Sequence, residues 1–153
     1  MMSDILKVFF LSMIPLSEQR ATIPLGIIVY QLNPWLVAIV ALIGSFVPAP
    51  FIYFFVKRIL EWMRKIKWLD WFTNFVDKKI QKGSEKLEKY KEVGLITFVG
   101  VPLPTTGLWT GTAVAAFLGL NFKKSMFCAF VGGIISAILL VIISMAAPAI
   151  IGH

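Results

Sequence analysis

The chain has 153 residues, a formal net charge of +7 and 58% hydrophobic residues. Its mean hydropathy of +0.83 and its long uncharged runs exclude an ordinary soluble domain, in which roughly 45–50% of residues are apolar. The length indicates a single domain, 1–153, and the long continuous apolar runs predict an all-α integral membrane protein. The positive charge is concentrated in one segment, which favours contact with a membrane surface and not with nucleic acid.

The first informative segment lies near the amino terminus, where Pro15, Pro24 and Gly26 interrupt an apolar stretch that also carries Glu18 and Arg20. Proline and glycine interrupt helices, and broken backbone at membrane depth must be covered by protein or line a cavity. Half-helices of about ten residues, roughly 15 Å long, reach the middle of a ~30 Å hydrocarbon core. The pattern predicts a re-entrant helical hairpin with the two prolines and the glycine at its tip.

Glu18 and Arg20 are the strongest candidates for substrate or ion binding. Opposite charges in apolar surroundings are costly unless they are paired and buried in protein, and such pairs are often functional. Glu18 is a candidate proton carrier, because burial and the neighbouring Arg20 act on its carboxyl group in opposite directions. The alternative is a permanent structural ion pair. Arg20 suits an anionic group, because its planar guanidinium matches phosphate or carboxylate.

A spanning helix is predicted over 34–56, since about 20 apolar residues suffice to cross the core. Pro48 and Pro50 predict a kink in it or, alternatively, a gating hinge. The following segment, 57–92, contains most of the lysines and arginines, which predicts a cytoplasmic location. Its apolar and aromatic residues recur at helical spacing, so it is interpreted as an amphipathic helix that lies on the membrane surface among the lipids.

The last part, 93–153, repeats the order of the first part, 1–56: a broken apolar segment and then a spanning helix, here over 122–146. The residues predicted at the second hairpin tip are Pro102, Pro104, Gly107 and Gly111. A hairpin returns to its own side of the membrane, whereas a spanning helix crosses it. The two repeats therefore enter from opposite faces as an inverted repeat, with both termini outside the cell.

Inverted repeats with broken helices are typical of transporters, which bind substrates where half-helices meet near the midplane. The second tip carries three threonines, Thr105, Thr106 and Thr110. Their hydroxyl groups either bind substrate or form hydrogen bonds with backbone groups that the prolines leave without partners. Trp109 is interpreted as a packing residue or wedge, with a cation–π site as the alternative. The single histidine, at the end of the chain, and the lack of a phosphate-binding loop argue against an enzyme, and no cofactor or metal is predicted.

Two motifs carry a resemblance to a known family, SEQRATIPLG at 17–26 and VPLPTTGLWTG at 101–111. They resemble the small multidrug export protein family, a prokaryotic group of about this length that is similar in design to the DedA/VTT membrane-protein superfamily. The resemblance implies two facing re-entrant hairpins, a link to the proton-motive force and transport of lipids or lipid phosphates. Glu18 matches the acidic residue expected in the first hairpin. The arginine expected in the second motif is missing, and Arg20 stands in its place.

Together these features predict a proton-coupled transporter of an amphipathic, lipid-like or drug-like substrate, or of a lipid phosphate, in the prokaryotic cell membrane with several crossings. A homo-oligomer is expected, because two spanning helices make a thin wall around a cavity. Two alternatives remain. The flux through a passive lipid scramblase or channel would not depend on the proton gradient, and a membrane assembly factor would transport no substrate.

Overall fold

The computed structural model describes residues 2–15, 17–81, 85–103 and 106–151, and every regular element in these ranges is a helix. The α-helices are α1 (Met2–Ser12), α2 (Glu18–Pro24), α3 (Pro34–Phe46), α4 (Ala49–Met63), α5 (Asp70–Gln81), α6 (Glu85–Gly100), α7 (Leu108–Phe117) and α8 (Phe122–Ile151). A π-helical turn, Leu25–Val29, continues α2, and a 3₁₀ turn, Lys67–Leu69, precedes α5. The predicted all-helical class is confirmed for the described residues.

In the described ranges, two helical stretches are long and apolar enough to cross a membrane, Pro34–Met63 and Phe122–Ala147. They coincide with the two predicted spanning helices, although the first continues seven residues past the predicted end at 56. Lysine and arginine are good helix formers, so the first basic residues after the apolar run extend the helix instead of ending it. The interruption predicted at Pro48 is present, because α3 ends at Phe46 and α4 begins at Ala49.

Two buried clusters hold the helices together. The first joins α1, α2, α3 and α8 around Val8, Ile23 and Val37, and the second joins α4, α6, α7 and α8 around Val99 and Leu108. Small residues allow these helices to approach closely, as is common in membrane proteins. A Cβ at Gly44 would lie 2.6 Å from the carbonyl oxygen of Phe9 in α1.

Three residues predicted at the hairpin tips lie inside helices instead. Pro24 is the last residue of α2 and Gly26 lies in the π-helical turn that follows. The wider turn is closed by the N–H of Tyr30, which donates to the carbonyl of Leu25 at 3.1 Å. A Cβ at Gly26 would lie 2.7 Å from Val37 Cγ1, and one at Gly111, inside α7, would overlap Val99 Cγ2. Both glycines therefore serve helix packing.

The actual breaks in the two helix pairs lie between α1 and α2 and between α6 and α7. Pro15 lies in the first break, and Pro102 and Gly107 lie in the second, as predicted. Pro104 is outside the described residues. The order of elements is a broken helix pair followed by a long helix, and it occurs twice along the chain. The two breaks are the parts of the fold that carry the candidate site.

Candidate functional site

Glu18 is the first residue of α2, and its side chain is buried, with 4% of its surface exposed. Its Oε1 accepts a hydrogen bond of 2.8 Å from the backbone N–H of Trp109. Trp109 lies in the first turn of α7, where backbone N–H groups have no partner within the helix. A carboxylate at this position also complements the positive end of the helix dipole. Glu18 therefore caps α7 from the other helix pair.

The backbone of Glu18 has a φ of 37°, which lies in the left-handed region. For a residue other than glycine such a conformation costs of order 1–3 kcal/mol and persists where surrounding contacts hold it. The N–H of Glu18 donates to the carbonyl of Ile14 at 2.9 Å, so the chain turns sharply before α2. The strained turn directs the carboxylate across the molecule and not along its own helix.

Gly107 leaves the space that the carboxylate occupies. A Cβ at this position would overlap Glu18 Oε2 and lie 2.9 Å from Glu18 Cδ. The φ of Gly107 is −139°, an extended conformation that any residue adopts. Glycine is required here for room and not for backbone freedom.

Arg20 binds the α6 side of the break between α6 and α7. Its Nη1 donates to Thr106 Oγ1 at 3.1 Å, and its Nη2 donates to the carbonyl oxygens of Val101 at 3.2 Å and Val99 at 3.4 Å. These carbonyls stand at the end of α6, where the last backbone acceptors of a helix lack intrahelical donors. A cation there complements the negative end of the helix dipole. Arg20 therefore caps the end of α6.

The structure does not place Glu18 and Arg20 in the direct ion pair that was expected. No contact within 4.0 Å joins their charged groups in the described part of the chain. Residues two apart in a helix do not face each other, so the two side chains leave α2 in different directions. Each charge meets a helix end of opposite sign, at α7 for Glu18 and at α6 for Arg20.

The three threonines predicted to bind substrate differ in where the structure places them. Thr106 is buried; its hydroxyl group accepts from Arg20 and donates to the carbonyl of Val101 at 2.9 Å. Thr110 is exposed on α7, and the side-chain hydrogen bonds of Glu18 and Arg20 go to other residues. Thr105 lies outside the described residues. Among the described threonines of the second motif, the structure thus brings Thr106 alone to the charged residues.

Gln19 was not singled out by the sequence reasoning, although it stands between the two charged residues. Its side chain is 1% exposed, and its Nε2 donates to the carbonyl of Gly133 in α8 at 3.2 Å. Three consecutive side chains of α2 therefore bind three different helices: Glu18 binds α7, Gln19 binds α8 and Arg20 binds α6. We call Glu18, Gln19 and Arg20 the α2 clamp. An uncharged amide in an apolar stretch was the signal available for Gln19.

A family model described as "Putative small multi-drug export protein" matches residues 18–139, well over half of the chain. The chain belongs to this family. The match begins at the α2 clamp and includes the break between α6 and α7, and it confirms the predicted membership. No curated protein and no solved structure is significantly similar to the chain. The family is one of export proteins, that is, of transporters and not of enzymes. Together with the two long apolar helices it indicates a membrane protein.

Proposed function

We propose that the chain exports small amphipathic molecules across the cell membrane and that protons drive the export through Glu18. The observation that carries the proposal is the buried carboxylate of Glu18, which caps α7 across the boundary between the two helix pairs. Hydrogen bonds to an ionised carboxylate are about twice as strong as those to a neutral group. Protonation of Glu18 therefore weakens the attachment of α2 to α7.

The proposed architecture is an inverted repeat in which α1–α2 and α6–α7 are re-entrant hairpins, as in the DedA-like design. It is supported by the repeated order of elements and by the α2 clamp, which links the break of one pair to the break of the other. The basic segment after α4 is cytoplasmic in this arrangement. Because two helices in the described ranges are long and apolar enough to span the membrane, we expect a homo-oligomer to complete the wall around the path.

The proposed cycle alternates between two states of the α2 clamp. With Glu18 charged, α2 is fastened to α7 and the path between the helix pairs is closed. With Glu18 protonated, the contact loosens and the two pairs separate on one side. A proton gradient biases the cycle because each side of the membrane favours a different protonation state of this one group. Arg20 keeps α2 attached to α6 throughout, so one pair moves about the other.

The test is transport into proteoliposomes with and without a pH gradient, using 8-anilinonaphthalene-1-sulfonate as an anionic substrate and ethidium as a cationic one. Glu18→Gln keeps the size of the side chain and one acceptor for the N–H of Trp109, but it cannot titrate. We expect it to lose gradient-driven accumulation while downhill exchange persists. Glu61→Gln, which changes an exposed carboxylate on α4, is the matched control and should accumulate substrate normally.

Three other results would each contradict the proposal in a different way. If Glu18→Gln still accumulates substrate in a pH gradient, Glu18 has a structural role only, as the cap of α7. Wild-type flux that is the same with and without the gradient would identify a passive channel or scramblase. The absence of any flux, with the purified chain correctly folded, would favour the assembly factor.

A further inference from the structure

An aromatic groove lies between α4 and the start of α7, beside the α2 clamp. Its volume is about 590 Å³, and its wall includes Pro48, Phe51, Phe54, Phe55, Arg58 and Trp109. Sites for drug-sized ligands have volumes of roughly 300–1,000 Å³ and are lined mainly by apolar and aromatic groups with a few polar ones. The size and the lining of this groove therefore suit a small molecule with an aromatic or otherwise apolar body.

The charge of the groove is set by Arg58 at one end of the aromatic stripe. Phe51, Phe54, Phe55 and Arg58 follow helical spacing, so they share one face of α4. The neighbouring Lys57 is directed to the ring of Tyr53, with its Nζ 5.3 Å from the ring centroid. No acidic residue occurs among the described residues that line the groove. A cation in the groove would therefore meet a like charge without a compensating carboxylate, which disfavours its binding.

Trp109 belongs both to the groove and to the α2 clamp. Its side chain forms part of the groove wall, while its backbone N–H is the group that Glu18 binds. Its indole Nε1 is buried and has no hydrogen-bond partner in the part of the chain that the structure describes. A molecule in the groove therefore contacts the same residue that protonation of Glu18 releases.

We propose that this groove binds a drug-sized amphipathic anion, with its apolar body against Phe51, Phe55 and Trp109 and its carboxylate or sulfonate group at Arg58. The inference rests on the proposed export function and names the substrate class of that transporter. A free amphiphile is the occupant, since the volume matches a single small molecule. The guanidinium of Arg58 supplies a charge-assisted hydrogen bond that orients the anion.

The experiment measures binding to the purified full chain in nanodiscs of zwitterionic lipid, without any transport step. Trp109 is kept as the sole tryptophan by changing the other four of the five tryptophans to phenylalanine. Energy transfer from Trp109 to 8-anilinonaphthalene-1-sulfonate then reports occupancy of the groove. We expect saturable transfer that a non-fluorescent aromatic sulfonate displaces and that ethidium does not.

Variants of the groove separate its two kinds of contact. Arg58→Gln should weaken binding about tenfold, the effect of losing one charge-assisted hydrogen bond, whereas Arg58→Lys should recover part of it. Lys123→Gln removes a charge from an exposed position at the start of α8 and should leave binding unchanged. Phe55→Ala should weaken binding, and Phe127→Ala, which changes an equally exposed phenylalanine on α8, should not.

Transfer that fails to saturate would assign the groove to bilayer lipid and overturn the proposal. Equal losses in Arg58→Gln and Lys123→Gln, or displacement by ethidium as strong as that by the sulfonate, would also overturn it. Because binding at equilibrium needs no proton gradient, it can fail while proton-driven export succeeds. The converse also holds, so the two proposals are tested separately.

Discussion

Gly107 lies directly against the carboxylate of Glu18 and gives the sharpest test of the α2 clamp. In Gly107→Ala the added Cβ would overlap Glu18 Oε2, although the extended backbone of Gly107 suits alanine. The carboxylate must move, and the 2.8 Å hydrogen bond from the N–H of Trp109 is lost. A hydrogen bond to a charged group contributes about 1.5–3 kcal/mol. We therefore expect the free energy of unfolding to fall by about 2 kcal/mol.

The measurement is reversible unfolding in mixed micelles, followed by circular dichroism. Gly94→Ala is the control, because a Cβ at Gly94 in α6 would meet no atom within 4 Å apart from its chain neighbours and the backbone of its own helix. Since alanine is favoured over glycine in a helix by about 1 kcal/mol, this variant should be as stable as the wild type or more stable. The contrast between the two glycines isolates the contact with Glu18 from the general effect of a glycine-to-alanine change.

A double-mutant cycle with Glu18→Ala completes the test. Once the carboxylate is removed, the Cβ of Gly107→Ala has room, and the second change should cost little. The coupling free energy should then equal most of the penalty measured for Gly107→Ala alone. Additive effects, or a Gly107→Ala variant as stable as the wild type, would mean that Glu18 does not occupy the position described above.

Two further predictions concern the rest of the site and the topology. Arg20→Lys should lower the free energy of unfolding by about 1–2 kcal/mol, because one ammonium group cannot replace a guanidinium that donates to a hydroxyl group and two carbonyls. Thr106→Val should also lower the free energy of unfolding, whereas Thr110→Val should not. Equal effects of the two threonine changes would contradict the placement of Thr106 as the partner of Arg20. In whole cells of a cysteine-free variant, a cysteine at Asp4 should react with an impermeant maleimide from outside and one at Lys67 should react only after permeabilisation; the reverse pattern would exclude the proposed topology.

The sequence by itself determined the helical class of the described residues, the two long apolar helices and the location of Pro15, Pro102 and Gly107 in the two breaks. These properties depend on short-range chemistry: the length of uncharged runs, the missing N–H of proline and the clustering of lysine and arginine. Pro48 interrupts the first long helix for the same local reason. The motif around Glu18 and Arg20 also stood out locally, because charges are rare in such apolar surroundings.

Only the tertiary structure decided what Glu18 and Arg20 bind. Their partners lie 91 and 86 residues away in the chain at Trp109 and Thr106, and most of them are backbone groups at helix ends. Every residue other than proline carries the same N–H and C=O groups, so no side-chain pattern marks the helix end that a distant charge will satisfy. Gly26 and Gly111 were misassigned to the tips for a related reason. A missing Cβ permits a turn or a close helix contact equally well, and only the packed neighbour distinguishes the two.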